Sequence, residues 1–214
     1  MAVIESPSGV LMEVESDKKA QRAIVVPRGA GHSVAKTTGI IGAGLVVGSS
    51  VFAMRLDPSS PNRAFIDRIR LQWTCLVAFT VPLTAGRRLA LYRGSGAAAT
   101  GGTSIATATR KWTTFGASSE FDTANGGAMM IATTSALTTT GITFEADESF
   151  QMSLAHVGAA GAQYEVVWEC SVGESSEVVL EPGQMLAIRN PLAMDAAGTW
   201  QLSVGVQWRE APAY

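Results

Sequence analysis

The chain has 214 residues, of which 16 are basic and 18 acidic, so its formal net charge is −2. Only 16% of the residues are charged, and they form no basic stripe. This pattern argues against a nucleic-acid-binding protein, which needs clustered cations to follow a phosphate backbone. A chain of this length can bury a sizeable core without disulfides or metal ions as staples.

Residues 1–60 differ from the rest in their pattern of apolar and charged residues and are predicted to form a partly extended N-terminal arm. Short apolar runs, one of which contains Val25 and Val26, are separated there by charged turns. The arm is expected to complete its packing against a partner, which makes Val25 and Val26 candidate interface residues. Met1–Glu5 is acidic and lacks an apolar block, so no secretory signal is predicted.

The apolar, glycine-rich run Gly39–Met54 raises the question of a membrane span. It is sixteen residues long, whereas a transmembrane helix needs about 20. Glycines let main chains approach closely, so a backbone-packed arm or strand is predicted, with no membrane insertion. Ile40 and Ile41 in this run are further candidate interface residues.

A dense turn at Asp57–Asn62 marks the predicted boundary between the arm and a main domain over residues 61–214. Beyond it, alternate residues of Ile69–Phe79 are apolar, which predicts a long strand with one buried face. Pro82 and Gly86 then predict a turn into a second strand, antiparallel to the first.

Residues 94–109 are almost entirely Gly, Ala, Ser and Thr, which predicts an exposed, mobile loop. Arg110, Lys111 and Trp112 lie at its rim and are candidate interface residues. For Trp112, an interface anchor, a carbohydrate platform and a partly covered packing residue all remain open. A short strand is predicted at Met129–Ile131.

The C-terminal third repeats the alternating pattern. Residues 150–156 and 164–172 flank a glycine-containing turn at 158–161, which predicts a hairpin, and a closing strand is predicted at Trp200–Arg209. Such strands, with Gly/Pro turns and no helical stripe, predict an all-β fold: an antiparallel β-sandwich, jelly-roll-like, with an extended N-terminal arm. Four tryptophans fall on inward phases of predicted strands, namely Trp73, Trp168, Trp200 and Trp208.

Residues able to carry metal or cofactor chemistry are sparse. The two histidines, His32 and His156, lie in no metal-ligand spacing, and His156 is interpreted as a core or interface residue. Cys75 and Cys170 are far apart; buried thiols are predicted, with a cross-sheet disulfide as the alternative. Neither a metal site nor a cofactor is predicted.

Catalytic motifs are absent from the sequence as well. No Gly-x-Ser-x-Gly motif occurs, and Gly42–Gly48 has the spacing GxGxxxG, unlike a dinucleotide fingerprint. Glu165 and Glu169 share one strand face about 13 Å apart, too far for a glycosidase pair, which needs roughly 5–9 Å. A solvated face is predicted for these two glutamates, and the chain is not expected to be an enzyme.

Short, turn-centred patterns occur along most of the chain. They are Ala20–Arg22, Val26–Pro27, Gly101–Thr103, Arg110–Lys111, Ala132–Thr134, Leu137–Thr138, Leu180–Gln184, Ile188–Asn190, Ala197–Trp200 and Val206–Glu210. On these patterns the chain resembles the β-sandwich structural proteins of tailed-bacteriophage particles, which include capsid-decoration, tail- and fibre-associated subunits. Gln184 stands where a glutamate is expected, and no catalytic residue is carried over.

The resemblance implies a virion protein, a homotrimer assembled in the bacterial host cytoplasm, whose partners are its own copies and the major capsid protein or other virion subunits. The leading hypothesis is a capsid decoration, or cement, protein that stabilises the assembled shell. One alternative is an adaptor in the tail, collar or fibre base. Another is a host-glycan-binding module that uses Trp112 or the tyrosines on an exposed loop.

Overall fold

Most of the alternating segments form strands, since period-two patterns with β-branched residues suit a half-buried sheet. The structure is a computed structural model. It describes residues 3–5, 11–15, 20–24, 30–42, 44–79, 87–105, 110–111, 118–154, 160–169, 178–194 and 198–212. The strands in these ranges are β1 (Val3–Glu5), β2 (Leu11–Glu15), β3 (Ala20–Ile24), β4 (Ala30–Thr37), β5 (Ser50–Arg55), β6 (Asn62–Val77), β7 (Arg87–Gly96), β8 (Thr103–Ser104), β9 (Arg110–Lys111), β10 (Ala128–Ile131), β11 (Ile142–Phe144), β12 (Phe150–Leu154), β13 (Gln163–Glu169), β14 (Val178–Leu180), β15 (Gln184–Arg189) and β16 (Thr199–Pro212).

Two antiparallel sheets pack against each other and confirm the predicted sandwich. The six-stranded sheet has the order β13-β6-β16-β4-β9, with β14 also beside β6. The seven-stranded sheet has the order β11-β7-β15-β5-β10-β8, with β12 also beside β7. Strands β4 to β7 alternate between the sheets, and the last two strands insert between earlier ones. This nesting, β4-β16-β6-β13 against β5-β15-β7-β12, is jelly-roll-like.

The inner faces of the two sheets share one apolar core. Trp73, Trp200 and Trp208 are completely buried in it, as predicted. Trp168 is half-buried and stacks on Phe150, with ring centroids 6.1 Å apart. Because Trp168 lies in β13 and Phe150 in β12, this stack joins the two sheets. Buried aromatic rings of this size contribute a large share of the burial that stabilises a small sandwich.

The three clearest strand predictions are confirmed: β6, β10 and the closing strand β16. One inward assignment is wrong, because Val77 is exposed. The pairing register between β6 and β16 shifts there: Thr199 pairs with Val77, but Trp200 pairs with Cys75. The irregularity at Leu76 reverses the phase of the strand, and Val77 therefore turns away from the core.

The sandwich begins inside the segment predicted to be an arm, so the boundary at residue 60 is corrected. β4 pairs with β16, and β5 pairs with both β10 and β15. Five of the six residues of β5 are buried, and a strand covered on both faces loses the alternation that identifies it. Within the described residues, only β1, β2 and β3 stay apart from the sandwich, as a three-stranded sheet of their own.

Both predicted hairpins in the main domain are wrong. β6 lies in the six-stranded sheet and β7 in the seven-stranded one, and β12 and β13 are divided in the same way. Glycine and proline indicate that the chain turns. They occur both in turns within one sheet and in connections between two sheets, so they do not show which sheet the next strand joins.

The predicted loop over residues 94–109 is in part regular structure. Gly94–Gly96 continues β7 and pairs with β11. Thr100 and Thr138 exchange backbone hydrogen bonds of 3.0 and 2.8 Å, and Ile105 is buried. Residues 106–109 lie outside the described part of the chain. Backbone hydrogen bonds order this segment. Its low apolar content therefore did not indicate a mobile loop.

Gly39 allows the turn from β4 towards β5 to pack directly on another main chain. A Cβ at Gly39 would lie 2.0 Å from the carbonyl oxygen of Thr133, whereas a Cβ at Gly42 would meet nothing within 4 Å. We expect Gly39→Ala to lower the free energy of unfolding by about 1–3 kcal/mol, because the backbone must move apart. Gly42→Ala is the matched control and is expected to change stability by less than about 1 kcal/mol. Equal urea midpoints for the two variants would contradict this packing.

Candidate functional site

The outer face of the six-stranded sheet carries a polar trough across β4, β16 and β6. Its larger part is a cavity of about 500 Å³. A second cavity of about 350 Å³ adjoins it and shares Lys36, Arg70 and Gly205. We define the polar trough by the residues Lys36, Arg68, Arg70, Gln72, Gly205 and Gln207.

Gly205 forms the floor of the polar trough, where it pairs with Ala35 on one side and Arg70 on the other. A Cβ at Gly205 would meet its nearest atoms, in Arg70 and Val34, at 3.7–4.0 Å, which is ordinary van der Waals contact. Its backbone is also outside the left-handed region that favours glycine. Neither crowding nor backbone geometry therefore requires a glycine at this position.

Cations line the polar trough, and the carboxylates that accompany them lie farther out on β13. Arg70 donates two hydrogen bonds to Glu165, of 2.7 Å from Nε and 3.1 Å from Nη2. The Nε atom of Arg68 lies 3.4 Å from Oε1 of Glu169. The hydrogen bond from Arg70 lowers the pKa of Glu165, and the same bond raises the pKa of Arg70. Both glutamates are exposed, as their predicted solvated face requires.

One end of the sandwich exposes apolar side chains. This end holds the connection from β4 to β5, the end of β6 and the start of β16, since Ile41 pairs with Trp200 and Val77 with Thr199. The exposed fractions there are 53% for Ile40, 71% for Val46, 63% for Val47 and 56% for Val77. We call these four residues the apolar end. Several large apolar side chains exposed together are typical of an interaction surface.

The loop that carries Val46 and Val47 is held in place from below by β15 and the residue that follows it. The completely buried Asn190 donates a 2.9 Å hydrogen bond from Nδ2 to the carbonyl oxygen of Val46. Arg189 donates a 2.9 Å bond from Nε to the carbonyl oxygen of Gly48, and its guanidinium lies over the ring of Phe144, 3.8 Å from the centroid. Because both ends of the loop tip are bonded, the two valines are presented on a fixed backbone.

A serine, a histidine and a glutamate meet at a buried polar cluster. Glu210 accepts hydrogen bonds from Ser119 Oγ at 2.6 Å and from Trp208 Nε1 at 2.8 Å, and His32 Nε2 lies 3.8 Å from its other oxygen. In a catalytic triad the imidazole lies between the hydroxyl and the carboxylate. Here the carboxylate lies between them, and all three side chains are buried, so the cluster has the geometry of a structural network.

Glu120 lies next to this cluster, and its carboxyl has a shifted pKa. Its backbone N–H donates to Glu210 Oε2 at 3.0 Å. Burial raises the pKa of the Glu120 carboxyl above its ordinary value of 4.5, and the negative charges of Glu210 and Asp57 raise it further. A hydrogen bond from Asn62 opposes the shift.

The structure places the sequence-derived interface candidates in different settings. Ile40 is exposed in the apolar end, whereas its neighbour Ile41 is completely buried in the core of this chain. Arg110 and Lys111 form β9, which pairs with His32 and Ser33 of β4. The other interface candidates lie outside the described part of the chain, as do the second histidine and the second cysteine: Val25, Val26, Trp112, His156 and Cys170.

Cys75 is buried, as predicted. The thiol is buried in the core and donates a hydrogen bond to the carbonyl oxygen of Val77 at 3.2 Å. Burial also raises the pKa of this thiol, which keeps it protonated. The pairing question stays a prediction, because Cys170 is outside the described residues.

Within the ranges that the structure describes, no group of three or more His, Cys, Asp or Glu side chains is arranged to hold a metal ion. In the same ranges no helix is long and apolar enough to span a membrane.

Sequence reasoning identified parts of the polar trough without assembling them. The outward phase of Arg68 and Arg70 follows from the alternation of β6. Lys36 and Gly205 were missed, although a glycine in the middle of an alternating strand such as β16 is itself a signal of close approach by another group. The three strands come together only through sheet pairing between distant segments.

Two glutamates with opposite pKa shifts predict opposite pH dependence. The carboxyl of Glu120 has a raised pKa, so it favours the folded state below its unfolded pKa and loses that contribution as pH rises through the folded pKa. Glu120→Gln is therefore expected to be more stable than the parent at neutral pH, with the gain vanishing in acid.

Glu165 is the control, because its pKa is shifted in the opposite direction to that of Glu120. Its lowered pKa means a contribution that is present above the unfolded pKa and is lost as pH falls through the folded pKa. Glu165→Gln should be less stable than the parent at neutral pH, and equally stable in acid. Urea unfolding from pH 3 to pH 8 measures both, and parallel curves for the two variants would contradict the assignment.

Comparisons with known proteins do not assign this chain to a family. No family model, no curated protein and no solved structure matches the chain.

Proposed function

We propose that this chain is a non-catalytic structural subunit of a tailed-bacteriophage particle. In its simplest form it is a capsid decoration protein, a homotrimer that docks on the major capsid protein and stabilises the shell. The observation that carries the proposal is the apolar end, where Ile40, Val46, Val47 and Val77 are all more than half exposed. Burial of such a surface against a neighbouring subunit is favourable at roughly 25 cal/mol per Å².

The fixed geometry of the apolar end supports docking. Asn190 and Arg189 bond to the backbone of the loop on both sides of Val47. A surface that is already ordered loses little conformational entropy when it binds, and it binds more tightly for that reason. A decoration protein that binds only the assembled shell stabilises that shell by mass action.

The architecture is compatible with this role. Jelly-roll sandwiches occur in viral capsid and lectin domains, among others. Fold alone does not establish function, so the sandwich supports the proposal only together with the apolar end. The strands β1, β2 and β3 form a sheet separate from the sandwich, and in this proposal that sheet contacts a neighbouring subunit.

Abundance in the particle tests the proposal. We expect quantitative mass spectrometry of purified virions to find the chain at a copy number comparable to that of the major capsid protein. A copy number far below this, similar to that of tail proteins, would favour an adaptor in the tail, collar or fibre base. Complete absence from purified virions would contradict a virion role.

A charge at the apolar end tests the docking surface. Val46→Glu is expected to weaken binding to shells that lack the chain by about tenfold or more, because an unpaired carboxylate would be buried. Stability should change by no more than about 0.5 kcal/mol, since the site is exposed. Ser153→Glu places the same charge at an exposed position of β12 and serves as the control. Co-sedimentation with the shells measures binding, and equal binding of the two variants would exclude this surface.

A further inference from the structure

The polar trough concentrates positive charge on a chain that is negative overall. The net charge is −2, yet Lys36, Arg68 and Arg70 line the trough, and among the described residues no acidic side chain lines either of its two cavities. Arg68 and Arg70 are each paired with a glutamate of β13, so the positive charge of Lys36 is the one left to attract an anion. Lys36 is exposed and has no carboxylate partner among the described residues.

Arg70 is positioned to bind an anion without first being ordered. Its two bonds to Glu165 come from Nε and Nη2, and a guanidinium has five N–H groups. Three N–H groups therefore remain for a ligand. Because Glu165 lies on β13, on the side of β6 away from β16, it orients the arginine from behind without entering the trough.

Gly205 supplies independent support for a ligand. A glycine inside a paired strand weakens the strand, and it often marks close approach by a ligand or another backbone. No crowding and no left-handed backbone explain Gly205. The consequence of its missing side chain is open space above the middle of β16, directly between Ala35 and Arg70.

The walls of the polar trough define the chemistry of the ligand. The trough runs along the strands from Gln207 to Ser203, about 13 Å at the rise of a β-strand, so it suits an extended molecule. Amide and hydroxyl groups there can bond to several hydroxyls of a ligand. Among the described residues, neither lining contains an aromatic side chain, on which neutral sugars stack.

We propose that the polar trough binds an acidic oligosaccharide. Carboxylates of the sugar pair with Lys36, Arg68 and Arg70, and its hydroxyls bond to Gln72 and Gln207. This site is distinct from the apolar end and does not depend on a role in the virion. It also differs from a glycan platform at Trp112, because it uses ionic contacts on another part of the fold.

Calorimetric titration of the full chain tests the ligand class. The probes are oligogalacturonates and sialylated oligosaccharides, each with its neutral counterpart, and a tetraglutamate peptide as the acidic non-sugar. We expect an acidic oligosaccharide to bind, its neutral counterpart to bind at least about tenfold more weakly, and affinity to fall as salt is raised.

Two variants locate the site. Gly205→Val fills the floor of the trough and is expected to abolish binding while the thermal midpoint stays equal or rises, because a β-branched residue suits a strand. Thr74→Val is its control on the same face of β6. Lys36→Gln should weaken binding by about tenfold, whereas Arg63→Gln, which removes the same charge outside the trough, should leave it unchanged.

Three results would overturn the proposal. They are a silent panel of acidic oligosaccharides, unchanged binding by a folded Gly205→Val variant, and tetraglutamate binding as tight as that of the sugars. The last result would point to an acidic segment of a protein partner. All three are independent of the copy number in virions and of Val46→Glu, so they leave the proposed function to its own tests.

Discussion

Insertion of β16 between β4 and β6 is the constraint on which the six-stranded sheet depends. The strand pairs with β6 along its whole length and with β4 along Ser203–Glu210. These contacts join distant parts of the chain: Thr37 and Ser203, whose hydroxyls lie 2.8 Å apart, are separated by 166 residues. Loop closure over such distances must occur before the contacts contribute, so the sheet is completed only when the C-terminal strand has been ordered.

The alternation of β16 links the core to the surface. Trp200, Leu202 and Trp208 enter the core on one side of the strand. On the other side Gly205 and Gln207 form part of the polar trough. A one-residue slip in register would exchange these faces, placing glycine and glutamine in the core and tryptophans in water. The same register that stabilises the sandwich therefore also assembles the trough.

Buried polar bonds hold the ends of this framework. The Glu210 carboxylate accepts hydrogen bonds from Ser119, Glu120 and Trp208. The bonds from Ser119 and Glu120 connect β16 to the segment before β10. At the opposite end of β16, Asn190 holds the loop of the apolar end. In a low-dielectric interior such groups are costly unless they are satisfied, so each network favours one arrangement of its strands. The Glu210 network thus anchors one end of the strand that carries the floor of the polar trough, and Asn190 anchors the loop of the apolar end.

The long strands β6 and β16 and the burial of Trp73, Trp200 and Trp208 could be predicted from the sequence, because period-two alternation reports which residues of a half-buried strand face inwards. It did not reveal β5, whose burial on both faces removes the alternation. Strand order, the crossings between sheets and the polar trough could not be predicted and arise only in the folded chain. The physical reason is that they depend on which distant strands pair, and turn residues and local periodicity carry no information about a partner.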